Sequence, residues 1–273
     1  MQQYIEKSLL VGVVAIGLIC TVGPCLTVLS SKLCANEVEG SSSDHHQQPE
    51  NKRVDNAMEE TYQELESYII EKIRSMEQSQ GPLWIGIAGP PASGKTTLAT
   101  QVAKRVNKTF PTVVIPMDGY HYYRAQLDRM PDPAEAHRRR GAPFTFDAAR
   151  FKAELAEARE NGKGTFPTFD HAEGDPVEGG IAFDSTKHRV VIVEGNYLLL
   201  SGDPAWEGTA RLFDETMFVE CAPEVIRERI ILRHMGTGLT RQAATVRADS
   251  NDVPNAQQVL DCRQPADRTI RSK

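Results

Sequence analysis

Apolar and polar positions divide the chain into a uniformly apolar start, a polar stretch, and a long region of mixed periodicity. Ser8 to Ser30 carries no charge and is long enough to cross a bilayer as a helix. A membrane anchor is the leading expectation for it, ahead of a cleaved secretory or organelle-entry signal, whose apolar core is normally shorter. A buried core helix ranks last, because the segment is apolar all round and a polar tail follows. Glu6, Lys7 and Lys32 are too sparse and mixed in sign to orient it. Glu37 to Asn56 includes SSSDHHQQPENKR and lacks apolar periodicity, which predicts a disordered linker.

From there the pattern turns helical. Met58, Tyr62, Leu65, Tyr68, Ile69 and Ile73 recur at spacings of three or four, as on a helix face that docks on a sheet. Gly81-Pro82 stops it. Four short runs then read as strands: Leu83 to Ile87, Pro111 to Met117 (PTVVIPM), Val190 to Val193, and the ETMFVEC portion of Leu212 to Cys221. Helix-compatible segments separate them at Thr97 to Val106 and around Phe151, Leu155 and Ala158 up to Asn161-Gly162, and two more follow them, at Ala222 to His234 and at Thr240 to Val246. Strands alternating with helices predict an α/β domain of three layers with a mainly parallel sheet. The last two helices, broken at Gly236-Thr237-Gly238, predict a helical lid. The division expected is residues 1–35 anchor or signal, 36–56 linker, 57–262 domain and 263–273 tail.

Composition alters this little. An apolar fraction of 40% suits one globular domain, and a net charge of −6 argues against a nucleic-acid surface. Arg138-Arg139-Arg140 is the one dense basic cluster, too small for that role. Cys20, Cys25 and Cys34 fall in or beside the apolar segment, and Cys221 and Cys262 form no C-x-x-C pair. No disulfide framework or zinc site is predicted, which fits a reducing compartment such as the cytosol. A cleaved N-terminal signal would instead direct the chain to an organelle.

Chemistry concentrates in Gly89-Pro90-Pro91-Ala92-Ser93-Gly94-Lys95-Thr96, followed by Thr97, which satisfies G-x-x-x-x-G-K-[ST] between a strand and a helix. Such a loop aims backbone N–H groups at phosphates, with Lys95 reaching the β- and γ-phosphates and the Thr96 hydroxyl placed for Mg²⁺. Asp118 follows the PTVVIPM strand and Glu194 ends the VVIV strand. Both sit where open α/β sheets bind ligands. Asp118 is expected as a general base, with a turn cap or an outer metal ligand as the other readings; Glu194 is expected to hold the Mg²⁺ shell or to polarise a water. The insertion Arg124 to Arg150 is long enough to be functional. Its Arg138, Arg139 and Arg140 are candidates to hold an anion, a plain solvated run being the alternative. Asp170 and His171 are candidates to orient a polar substrate beside Phe169. In the lid, Arg233, Arg241 and Arg247 are candidates to stabilise phosphoryl charge, while Arg227 and Arg229 are expected as solvated helix charges.

The blocks GPPASGKTT, PMDGYHYY, RRRGAPFTFD, FPTFDHAEGDPVEGG, VIVEGNYLLL and RHMGTGLT…VRADSNDVPNA resemble, in their joint order, the phosphoribulokinase/uridine kinase family of P-loop kinases. They look closest to its pantothenate kinase-like and fructose-transport-kinase-like branch. The resemblance covers roughly Met58 to Val259. It implies a P-loop NTPase fold with a lid, and ATP with Mg²⁺ as cofactors. The implied activity is transfer of the γ-phosphoryl of ATP to a hydroxyl of a small metabolite. It implies Lys95 and Thr96 on phosphate and metal, Asp118 as base, Glu194 as the strand-end acid, and Arg233 and Arg247 on the nucleotide. Asp170 and His171 fall where the family places substrate-binding residues; Asp118, Tyr120, His121, Arg139 and Arg140 are further candidates to bind the substrate. Gly119 stands where uridine kinases carry serine, and the uridine-kinase substrate block is not reproduced around Phe169. Two alternatives stay open: an NTPase that drives a partner, and a membrane-tethered nucleotide-binding protein. A homo-oligomer is compatible with all three.

Overall fold

A computed structural model of the chain describes residues 49–77 and 80–272, the side chains from Met58 onward. The apolar segment Ser8–Ser30 and its three cysteines lie outside the described residues. Among those described, no helix is long and apolar enough to cross a membrane.

The elements follow in the order α1 (Pro49–Ser75), β1 (Leu83–Ala88), α2 (Lys95–Val106), β2 (Thr112–Pro116), α3 (Arg124–Leu127), α4 (Pro133–Arg138), α5 (Ala148–Asn161), β3 (Lys163–Asp170), β4 (Asp175–Asp184), β5 (Val190–Gly195), β6 (Glu215–Glu220), α6 (Pro223–Gly236), α7 (Arg241–Arg247), α8 (Val253–Asp261) and β7 (Arg268–Arg271). Among the described residues, β2-β5-β1-β6-β7 form one sheet, and every neighbouring pair in it is parallel. β1 and β5 are buried along their whole length, which is why they read as unbroken apolar runs.

Strand periodicity distributes alternate residues between the two layers of helices. Leu83, Ile85, Ile87, Val190 and Ile192 face Leu65, Ile69 and Ile73 of α1 and Leu98, Val102 and Val106 of α2. Trp84, Ala88, Val191 and Val193 face the other way, toward Phe151, Leu155 and Trp206. A third cluster joins Ile226, Ile230 and Ile231 of α6 to Ala244, Ala248 and Ala256, and forms the body of the lid. The three-layer α/β architecture is the one the strand–helix alternation predicts.

Three segments depart from the sequence pattern. α1 starts at Pro49, so residues 49–56 are helical where composition predicts linker. Glu, Lys, Arg and Ala have enough helix propensity to extend a helix without an apolar repeat. β3 and β4 form an antiparallel hairpin, Phe166↔Ile181 and Asp170↔Asp175, in a stretch to which the sequence pattern assigns no strand. An irregularity between Phe166 and Thr168 breaks the alternation that would have revealed it. Residues 268–271, left to a tail by their pattern, pair with β6 as β7, Val219↔Ile270. Only Ile270 of that edge strand is buried, so it offers almost no apolar signal.

Candidate active site

β1 lies centrally in the sheet, so the loop leaving it opens at the middle of the strands' carboxyl ends. Gly89, Pro90 and Pro91 are buried at the base of this loop. Ala92 is held at φ 58° and Gly94 at φ 92°, so the loop stores strain at Ala92, where a side chain disfavours that region. Ser93 is fully buried, and its hydroxyl, packed against Gly89, finds no hydrogen-bond partner, a costly state for a polar group. α2 then begins with no side-chain cap and no acid in its first turn, leaving its N–H groups and the positive end of its dipole for an anion. Lys95, in that turn, is 9% exposed.

Glu194 is 3% exposed at the end of β5 and lies in register with Ile87 of β1 and Pro116 of β2. The Thr96 hydroxyl donates to its Oε1 at 3.1 Å. Burial raises the Glu194 carboxyl above its ordinary value; the Lys95 charge opposes the shift and the Asp118 charge adds to it. Asp118 sits on a single 3₁₀ turn, Met117–Tyr120, directly after β2. Gly119 packs that turn onto β3 so closely that a Cβ would lie 2.2 Å from the Pro167 carbonyl oxygen.

One cavity of about 730 Å³ joins these groups. Ala92, Ser93, Gly94, Lys95, Thr96 and Thr97 form its phosphate-loop wall. Asp118, Glu194, Thr168, Phe169 and His171 form another, and Arg229 and Arg233 reach in from α6.

Other predicted site residues stand elsewhere. Tyr120 is buried against Phe151 and donates to Glu154 Oε2 at 2.6 Å. His121 lies tilted against Phe146 and Phe169 with ring centroids 3.9 and 4.7 Å away, and its Nδ1–H donates to the Asp118 carbonyl at 2.9 Å. Burial lowers the His121 pKa, favouring the neutral ring. Asp170 accepts the N–H groups of Ala172 and Glu173 and so closes the hairpin turn. Arg139 donates to Asn251 and Asn255 (3.2 and 2.8 Å). Arg140 donates to the Gly174 carbonyl, and to the Tyr122 carbonyl and Asp175 at 2.9 Å each. Both guanidinium groups, candidates to hold an anion, are therefore engaged in fastening loops. Arg247 lines a separate groove with Arg138 on the outside of the lid.

The converse holds for Arg229, expected as a solvated helix charge. It donates to Ser272 Oγ at 2.9 Å and to the Ala92 carbonyl at 3.4 Å, which places it against the phosphate loop. Its spacing of four from Arg233 puts both on one face of α6, a signal readable in the sequence. Arg227 does pair at the surface, with Asp249. Ser272 lines the cavity because β7 carries it there, and nothing in the local pattern shows this.

Comparison with known proteins places this geometry. A Schizosaccharomyces pombe protein named as a candidate uridine kinase is 38% identical over 202 residues, covering 71% of this chain and 83% of its own. An Aspergillus versicolor protein named ATP-dependent kinase-like is 42% identical over 161 residues, covering 56% and 92%. A crystal structure from Silicibacter sp. TM1040, described as a candidate fructose transport system kinase, superposes with a TM-score of 0.69 at 30% identity, covering 76% of this chain and 98% of that one. The family model described as phosphoribulokinase/uridine kinase matches residues 84–246, from β1 to the lid, and the chain belongs to that family.

Proposed function

We propose that the chain transfers the γ-phosphoryl of ATP to a hydroxyl of a small metabolite, with Asp118 as the base that receives the hydroxyl proton. The observation that carries this reading is the placement of Asp118 in the same cavity as Lys95 and Thr96 of the phosphate loop. In phosphoryl transfer the charge is spread over the phosphoryl oxygens, so the protein's work is positioning and electrostatics. The loop N–H groups and Lys95 hold the phosphates, and Arg233 supplies a further positive charge from the lid. Asp118 orients the attacking hydroxyl.

The residues present fit Mg²⁺. Thr96 and Glu194 offer a hydroxyl and a carboxylate oxygen 3.1 Å apart. Among the described residues no group of three or more His, Cys, Asp or Glu side chains gathers as a metal cage. One or two protein oxygens beside phosphates and waters is the ligand set this ion takes in kinases. When bound, Mg²⁺ neutralises phosphate charge in the transition state.

Relatives named for uridine and for fructose transport make nucleosides and ketoses reasonable first acceptors to try. The reading is tested by two variants. Lys95→Ala and Asp118→Asn should both abolish transfer, and Asp118→Asn should keep MgATP binding measured by calorimetry. Full transfer activity in Asp118→Asn would remove Asp118 from the role of base.

A further inference from the structure

Arg233 enters the cavity from α6, but its side chain is 54% exposed, and a long flexible side chain at a cavity mouth samples many rotamers. The structure holds it at one point. Its Nη2 donates to Oδ1 of Asp252 at 3.2 Å. The neighbouring His234 places Nε2 2.8 Å from Oδ2 of the same carboxylate. The two side chains of that second contact are 12% and 15% exposed, so Asp252 is anchored on the sheltered side and holds Arg233 on the open side.

Two features set this aspartate apart from an ordinary surface partner. Asp252 lies inside the unbroken helical run from Arg241 to Asp261, at φ −69° and ψ −38°, so its carboxylate has no free first-turn N–H to cap and is turned toward α6. It also closes a π-helical turn, Ala248–Asp252, a rare geometry that recurs at functional sites. Beside it, Asn251 and Asn255 are buried and accept from Arg139, and the Asn251 amide donates to the Arg140 carbonyl at 2.9 Å. The turn that carries Asp252 is thereby fixed to the loop before α5.

We propose that Asp252 is a positioning residue for Arg233: it holds the guanidinium by one nitrogen so that the others face the terminal phosphate. This rests on the phosphate-loop reading of the site. The geometry makes a directional claim, because a carboxylate that merely competed with phosphate would weaken nucleotide binding.

The test compares MgAMP-PNP, which carries a third phosphate, with MgADP, which lacks it, by calorimetry on the full chain. For Asp252→Asn the expected result is a loss of about tenfold in MgAMP-PNP affinity, the size of one charge-assisted hydrogen bond, with MgADP affinity within about twofold. In an Arg233→Ala background the same substitution should change MgAMP-PNP affinity less than about twofold, since the residue acts through that arginine. A general structural role would lower both affinities alike, in either background, and that outcome overturns the proposal. So does tighter MgAMP-PNP binding in Asp252→Asn. A wild-type chain that binds neither nucleotide would instead overturn the phosphate-loop reading itself, and the positioning role with it.

Discussion

Gly119→Ala perturbs Asp118, the proposed base, without touching its carboxylate. A Cβ at position 119 would stand 2.2 Å from the Pro167 carbonyl oxygen and 2.6 Å from its carbon. Non-bonded carbon–oxygen contacts settle at about 3.3–3.6 Å, so roughly 1 Å of separation is missing. Pro167 sits at the irregularity of β3, between Phe166 and Thr168, which are both paired with β4, and the clash is with backbone that no rotamer change can relieve. The 3₁₀ turn must move instead, and Asp118 moves with it. A misplacement of about 1 Å in a positioned group costs on the order of 100-fold in rate. Overpacking of this kind costs about 2 kcal/mol, a Tm lower by roughly 4–8 °C in a domain of this size. The assay is kcat with an accepted hydroxyl compound, read beside Tm and MgADP affinity. MgADP affinity should hold, because the phosphate loop is carried by β1. An alanine variant with kcat within about twofold of wild type and an unchanged Tm would refute the packing argument. Serine, carried here by uridine kinases, brings the same Cβ and should behave as alanine does.

Other consequences follow from burial and charge. The Glu194 carboxyl is raised in the fold, so its contribution to stability is present below its unfolded value near pH 4.5 and is lost as pH rises through the raised one. In urea unfolding of the nucleotide-free chain, Glu194→Gln should therefore gain stability relative to wild type on going from about pH 4 to about pH 8. His121 is lowered, so its contribution is present above its unfolded value near pH 6.5 and is lost as pH falls through the lowered one. His121→Gln should flatten that acid limb of the stability curve. Arg139→Ala takes the donor from the buried Asn255 acceptor and leaves the Asn251 acceptor only the Asn255 amide at 3.3 Å, and should cost about 1–3 kcal/mol. Lysine should recover little of it, having no planar fork to serve two acceptors.

The parts of the molecule legible in the sequence are those whose physics is local. The G-x-x-x-x-G-K-T run is contiguous, so its place between a strand and a helix can be read before any fold is known. β1 and β5 are buried on both faces and announce themselves as apolar runs, which also places Glu194 at a strand end. The β3–β4 hairpin was hidden because one irregularity shifts its alternation, and β7 because an edge strand with a single buried residue has almost no pattern. Arginines were the hardest to place. Arg139 and Arg140 are alike as sequence, and Arg229 differs in pattern only by its spacing of four from Arg233; what separates the three is their partners: two distant asparagines, a hairpin turn, and the phosphate loop with Ser272. Those partners lie between 34 and 137 positions away along the chain, where periodicity carries no information.

The most direct test of the phosphotransfer reading is ADP production by the full chain with MgATP, alone and with each of a panel of sugars, nucleosides, pantothenate and glycerate. The account predicts that one class of hydroxyl compound raises ADP production well above the rate without acceptor, and that γ-phosphate label appears in that compound in step with ADP. Turnover equal with every compound and matching the rate without acceptor would contradict it, and would leave ATP hydrolysis as the activity of the site.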